Sequence, residues 1–171
     1  MIIFSLRFDK NLIPRWATCY NAEEDTDVER IASQASTRGY FTKANLVDFC
    51  EWKSKGRTRR QVELNHESFI QAITQTALSI PNEQLRIEVL TLLRGVGWST
   101  ASAILHLCHT DPYPILDFRA LWSLSVDVPD QYDFEFWWAY TRFCRTLASR
   151  AGVSMRVLDR ALWKYSKEKQ S

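Results

Sequence analysis

The chain has 171 residues, a formal net charge of +2, 46% apolar and 13% aromatic residues, and only five glycines and five prolines. That length makes a single compact domain over residues 1–171, or two small lobes sharing one core, and the apolar content excludes disorder. So few turn formers favour long helices over a many-stranded sheet, and so weak a charge permits nucleic acid as a partner without requiring it.

The first two dozen residues fit a short strand or an irregular arm equally well. Past residue 25 the apolar residues recur at helical spacing. Val28, Ile31, Ala32 and Ala35 form one stripe, closed by Gly39 as a C-terminal stop. Thr42 caps a helix that buries Leu46, Phe49 and Cys50, and Asn65 opens another with Phe69, Ile73 and Ala77 inward. Pro81-Asn82 ends that helix and caps the next, where Leu85, Val89, Leu92 and Leu93 line up. After Gly95-Val96-Gly97 comes a stripe of Ala101, Ile104, Leu105 and Cys108. Asp117 opens a short helix, and Asp133 caps a long one carrying Phe134, Trp137, Trp138, Thr141, Cys144 and Leu147. Gly152 breaks it, Ser154 caps a last helix with Leu158, Ala161, Leu162 and Tyr165 inward, and residues 167–171 are expected to fray. The expected class is all-α.

Cys19, Cys50, Cys108 and Cys144 form no CxxC pair and suggest no disulfide framework, so buried free thiols are expected at the last three. The opening residues Met1 to Arg7 are too soon charged for a signal peptide, and no apolar run reaches membrane-spanning length. No membrane association and a cytoplasmic location are the expectations.

The stretch that carries chemistry is Leu92-Leu93-Arg94-Gly95-Val96-Gly97-Trp98-Ser99-Thr100-Ala101. One amphipathic helix enters Gly-Val-Gly and another leaves it. Two glycines around a small apolar residue let the chain reverse and strip side chains from the start of the second helix. A phosphate can approach amides exposed there, favoured by the helix dipole. A plain αα-hairpin, with glycines serving only the turn, fits the spacing as well.

These residues, followed by Tyr113-Pro114-Ile115-Leu116-Asp117, resemble the signature of the helix-hairpin-helix DNA glycosylase superfamily: a hairpin L-x-G-V-G-x-x-T-A, a Pro-containing loop, then an aspartate. The likeness is nearest to the mismatch adenine glycosylase branch, which has a serine where Ser99 stands and Pro-Ile-Leu-Asp where Pro114 to Asp117 stand. It places a hairpin at 83–109 and the aspartate loop at 110–124. A second likeness, around Trp52-Lys53-Ser54 and Leu116 to Trp122, is to bacterial proteins of similar length and brings no activity with it.

The resemblance implies a helix-hairpin-helix glycosylase-like fold, double-stranded DNA as partner, and a role in base-excision repair. It implies DNA contact through Gly95, Val96, Gly97, Trp98, Ser99 and Thr100, and catalysis by Asp117. Such an aspartate stabilises positive charge on the deoxyribose as the bond to the base breaks. Relatives that also cut the sugar–phosphate chain carry a lysine where Ser99 stands, and that amine forms a Schiff base. Ser99 has none, so the expected enzyme is a monofunctional N-glycosylase, a hydrolase. Carbonyls of Thr91, Leu93 and Val96 are implied as ligands for Na⁺ or K⁺ in the hairpin. The iron–sulfur cysteines of some branches are missing, since only Cys144 follows Asp117, so no such cofactor is expected. No equivalent of the adenine branch's proton-donating glutamate can be placed among Glu23, Glu24 and Glu29.

The residues also support plainer readings. Asp117 can simply cap a helix over 118–124, and Ser99 can bond a free amide in a first helical turn. Lys53, Lys55, Arg57, Arg59 and Arg60 form a dense basic run that can neutralise phosphates or face solvent between helices. Trp122, Trp137, Trp138 and Trp163 are expected mostly in the core, Trp98 beside the hairpin. His106, Cys108 and His109 cannot converge on zinc from a single helix. Three functions remain open: a monofunctional glycosylase, a non-catalytic DNA-binding module retaining its fold, and a helical interaction domain.

Overall fold

The computed structural model describes residues 2–170. Ten α-helices and no strand occur among them: α1 (Ile13–Thr18), α2 (Thr26–Arg38), α3 (Lys43–Ser54), α4 (Arg59–Glu63), α5 (Glu67–Ser79), α6 (Glu83–Leu90), α7 (Trp98–Cys108), α8 (Phe118–Ser123), α9 (Phe134–Ala151) and α10 (Met155–Lys169). None is long and apolar enough to cross a membrane. The boundaries follow local chemistry. Thr42, Asn82, Asp117, Asp133 and Ser154 each cap a helix by accepting a first-turn amide on a side-chain oxygen. Gly39, at φ +86°, closes α2 in the left-handed region with its N–H donating to Ala35 O at 2.8 Å. Residues 167–169, expected to fray, belong to α10, which runs to Lys169; Met1 and Ser171 lie outside the described residues.

The chain divides into two compact units. Residues 23–110 form one of them, α2 to α7. Here α7 packs against α2, α3, α5 and α6. A helix touched by neighbours on several sides must be apolar or small all round, and Thr100, Ala101, Ser102, Ala103, Ile104, Leu105 and Cys108 are all buried. Thr74 ties the α2–α3 connection to α5: its hydroxyl accepts Phe41 N–H at 2.9 Å and donates to Ile70 O at 2.7 Å. That places a threonine in the core stripe Ile70, Ile73, Thr74, Ala77 and turns Phe69 outward, against expectation. Leu85 and Leu92 are likewise exposed, because α6 buries Arg86, Ile87, Val89 and Leu90 instead. The Arg86 guanidinium donates to Ile80 O and pairs with Glu83 at 3.2 Å, which makes its burial tolerable.

The other unit comprises the chain before residue 23 and from 111 onward, with α1, α8, α9 and α10. Its amino-terminal arm is irregular rather than a strand. Ser5 N–H donates to Leu124 O and Arg7 N–H to Ser123 O, both at 2.9 Å, while Phe4 stacks on Phe143 at 5.2 Å. α10 packs against α1, α8 and α9. Of the four tryptophans expected in core positions, Trp137 is fully buried, stacked on Tyr113 at 5.7 Å. Trp122, Trp138 and Trp163 are half-buried, each with a cation over its ring: Arg7 at 4.5 Å, Arg145 at 5.4 Å and Lys167 at 4.8 Å. An indole roofed by a guanidinium or ammonium keeps its apolar body covered while the charge stays wet.

Candidate functional site

The hairpin turn spans residues 91–97, between α6 and α7, and its two glycines face opposite demands. Gly95 sits at φ +80°, where L side chains are strained. A methyl group there would also meet Val62 Cγ2 at 2.7 Å, Thr58 O at 3.0 Å and Gln61 Cβ at 3.1 Å. The turn is therefore pressed onto the 58–62 segment. Asn65 fastens it from the same side: its Nδ2 donates to Arg94 O at 3.0 Å and Val62 O at 2.9 Å, and its Oδ1 accepts Arg94 N–H at 2.9 Å. Asn65 therefore serves as a clamp on the hairpin, whereas the sequence suggested a helix opener; α5 starts after His66, without a side-chain cap. Val96 anchors the turn with a buried side chain, and its N–H donates to Leu93 O at 3.1 Å.

Gly97 is different. Its backbone is extended (φ −95°, ψ −177°), it is exposed, and nothing lies within 4 Å of where a Cβ would project. Neither conformation nor packing calls for glycine there. It is the N-cap of α7, which has no side-chain cap. Its carbonyl accepts Ala101 N–H at 2.8 Å, so the amides of Gly97, Trp98, Ser99 and Thr100 precede the first intrahelical bond. Trp98 and Ser99 are half-buried; the Thr100 side chain is buried, so only its amide can face a ligand. Of the amides that the sequence offers to a phosphate, Val96's is already committed within the turn.

The basic run lies at the end of α3 and the start of α4, and its Thr58 carbonyl borders Gly95, so run and hairpin adjoin. Its charges are not equally available. Arg59 pairs with Glu63 at 3.0 Å and Glu51 at 3.7 Å. Arg57 Nε donates to Ser54 O at 3.0 Å. Lys53 is half-buried and already engaged. Lys55, in the left-handed region at φ 51°, and Arg60 are exposed.

Asp117 belongs to the second unit. The loop before it is packed: Tyr113, Pro114, Ile115 and Leu116 are buried, and Tyr140 Oη donates to Ile115 O at 2.9 Å. Asp117 Oδ1 accepts Arg119 N–H at 2.9 Å and so caps α8, the plainer of the two roles that the sequence offered. The charge of the carboxylate is felt by two phenols. Burial and, after it, the Asp117 charge hold Tyr132 above the usual tyrosine range; burial, with Cys144, Asp159 and Asp117, holds Tyr140 there as well.

The thiols are structural in character. Cys50, Cys108 and Cys144 are free and buried, and burial pushes Cys50 and Cys108 up to about 12 and Cys144 upward too. Among the described residues no three His, Cys, Asp or Glu side chains converge on a metal position. Of the carbonyls that the resemblance offers to an alkali cation, Thr91, Leu93 and Val96, Leu93's already accepts the Val96 amide. A cleft of about 310 Å³ opens at the C-terminal ends of α2, α5 and α7, lined by Ser36, Gly39, Gln75, Ser79, Cys108 and His109 among others; it lies at the end of α7 remote from the hairpin turn.

The concentration of charge that the sequence reading missed is in the carboxy-terminal helices. Residues 142–169 hold Arg142, Arg145, Arg150, Arg156, Arg160, Lys164, Lys167 and Lys169 against only Asp159 and Glu168. No cluster of adjacent cations marks it; a helical-wheel count over the last helix finds it. No family model matches the sequence, and no curated protein or solved structure matches it either.

Proposed function

We propose that this chain binds double-stranded DNA through the hairpin turn and acts in base-excision repair as a monofunctional N-glycosylase. The observation that carries the reading is Gly97. A glycine that is free of backbone strain and of packing pressure, at the uncapped start of a buried helix, leaves unshielded amides where a phosphate oxygen can approach. Exposed Lys55 and Arg60 on the adjoining segment add charge of the right sign.

In this reading Asp117 stabilises positive charge on the deoxyribose while water takes the sugar carbon and the base departs. Ser99 offers no amine, so the sugar–phosphate chain stays intact. The target nucleotide leaves the stack first, a cost of a few kcal/mol that is least at a damaged or mismatched pair.

The test is a panel of duplexes carrying damaged or mismatched bases, assayed for abasic product. Wild type is expected to release a base, and Asp117→Asn to bind DNA equally while losing release at least a hundredfold. Equal release by both proteins would refute the catalytic assignment. A second reading, a DNA-binding module without chemistry, draws on the helix cap that Asp117 already makes. It expects salt-dependent binding, no abasic product from any duplex, and weaker binding in Gly97→Leu.

A further inference from the structure

The unit that holds Asp117 also carries an aromatic and basic surface that the hairpin reading does not use. Arg156, Arg160, Lys164 and Lys167 fall on one stripe of α10, within an arc of about 80° and a length of about 16 Å. Glu168 at 2.7 Å from Lys164 and Asp159 at 3.5 Å from Arg156 are the helix's acids; Arg156 and Arg160 are engaged besides, and Lys167 is the exposed member of the stripe. Beside it stands Trp163. The Lys167 ammonium lies 4.8 Å above the Trp163 ring and the Arg119 guanidinium 5.6 Å from it. Tyr20 meets Trp163 edge-on at 5.3 Å, and Arg160 lies over Tyr20 at 5.4 Å. Arg119 also covers Phe118 at 5.0 Å, and Phe118 is 50% exposed despite being wholly apolar.

A row of cations alone suits any polyanion. Cations interleaved with rings, one half open to solvent, suit a polyanion that also presents flat π faces. We propose that the Phe118–Arg119–Trp163 platform and the adjoining Lys164 and Lys167 bind a single-stranded nucleic acid, phosphates along α10 and one unstacked base on Phe118. Duplex DNA hides its base faces, so the surface prefers an open strand. Stacking makes no hydrogen-bond demand, so sequence preference is weak. This site is separate from the hairpin and stands whether or not the chain cleaves any bond.

The test measures fluorescence anisotropy of a labelled twenty-residue oligothymidylate with the full chain in low salt. Lys164→Glu combined with Lys167→Glu is expected to weaken binding at least tenfold. It should also lower the slope of log affinity against log salt by about 1.4, the share of two phosphate contacts on a single strand. Phe118→Ala is expected to weaken binding at least fivefold, from loss of one stacked base. Gly97→Leu should weaken binding of a duplex of the same length more than binding of the oligothymidylate, and the lysine variants the reverse, which separates this surface from the hairpin. Should the double reversal unfold the chain, by circular dichroism, Lys164→Gln with Lys167→Gln carries the test with a threefold or greater loss. Three results overturn the proposal: no binding by wild type, unchanged binding in the charge variants, or displacement of the oligonucleotide by polyglutamate at equal charge concentration.

Discussion

The hairpin turn and the aspartate loop are the two halves of one sequence signature, yet they relate to the fold in opposite ways. In the aspartate loop every distinctive residue has an internal task. Tyr113 stacks on Trp137, Ile115 O takes the Tyr140 hydroxyl, and Asp117 caps α8. In the hairpin the tasks are divided. Gly95 answers to backbone conformation and to the 58–62 segment, whereas at Gly97, whose carbonyl opens α7, neither strain nor a neighbour excludes a side chain. A motif residue that the fold does not need is better evidence of an outside ligand than one that the fold already explains. By that standard the hairpin speaks for binding more strongly than the loop speaks for catalysis.

Substitutions at four positions sharpen or break this contrast. The largest effect is expected from Gly95→Ala, about 2–4 kcal/mol of lost stability in urea unfolding. A left-handed non-glycine residue costs about 1–2 kcal/mol and the clash with Val62 and Thr58 adds the rest; a loss under 1 kcal/mol would mean the turn is not pressed onto 58–62. Tyr140→Phe comes next, at about 1–2 kcal/mol, because the buried Ile115 carbonyl loses its donor. Third is Asp117→Ala, expected to cost about 1 kcal/mol as a lost cap, while Asp117→Asn stays within a few tenths because asparagine caps as well as aspartate. Catalysis needs the charge that capping does not, so a base-release assay that ranks Asn with wild type leaves Asp117 as a cap alone. The smallest effect belongs to Gly97→Ala, about half a kcal/mol in stability, since alanine is a poorer N-cap than glycine. If that variant also binds duplex DNA as wild type does, the hairpin loses its claim to a ligand.

The two basic regions draw the same lesson from charge. The 53–60 run is the densest in sequence, but Arg57 and Arg59, though exposed, turn back on the chain, and Lys55 and Arg60 are the exposed cations with no such bond described. The cations of α10 are spaced three and four residues apart and escape a search for runs, yet one helical face gathers them. Linear density measures neighbours along the chain, and a ligand meets neighbours in space.

Legibility elsewhere followed the range of the physics. Caps at Thr42, Asn82, Asp117, Asp133 and Ser154 and the stop at Gly39 could be read directly, since each acts within one helical turn. Phe69 and Leu85 were misplaced because Thr74 and Arg86, polar by type, occupy core positions once their hydrogen bonds are met by partners elsewhere in the unit. Trp137 lies in the core as expected, but Trp122, Trp138 and Trp163 were placed too deep, because no local rule says which indole will be covered by a cation.

What the amino-acid sequence determined alone is therefore local: helical periodicity, the N-caps and stops that divide it, an all-α chain, and a glycine-bounded reversal before a small-residue helix. What only the tertiary structure decided is which of those residues face inward. Asn65 became the clamp on Arg94, Gly95 the tight contact and Gly97 the open one, through atoms brought together from positions some thirty residues apart. Hydrogen-bond satisfaction and steric contact depend on distance in space, and a linear pattern carries that distance only within a turn or two of helix.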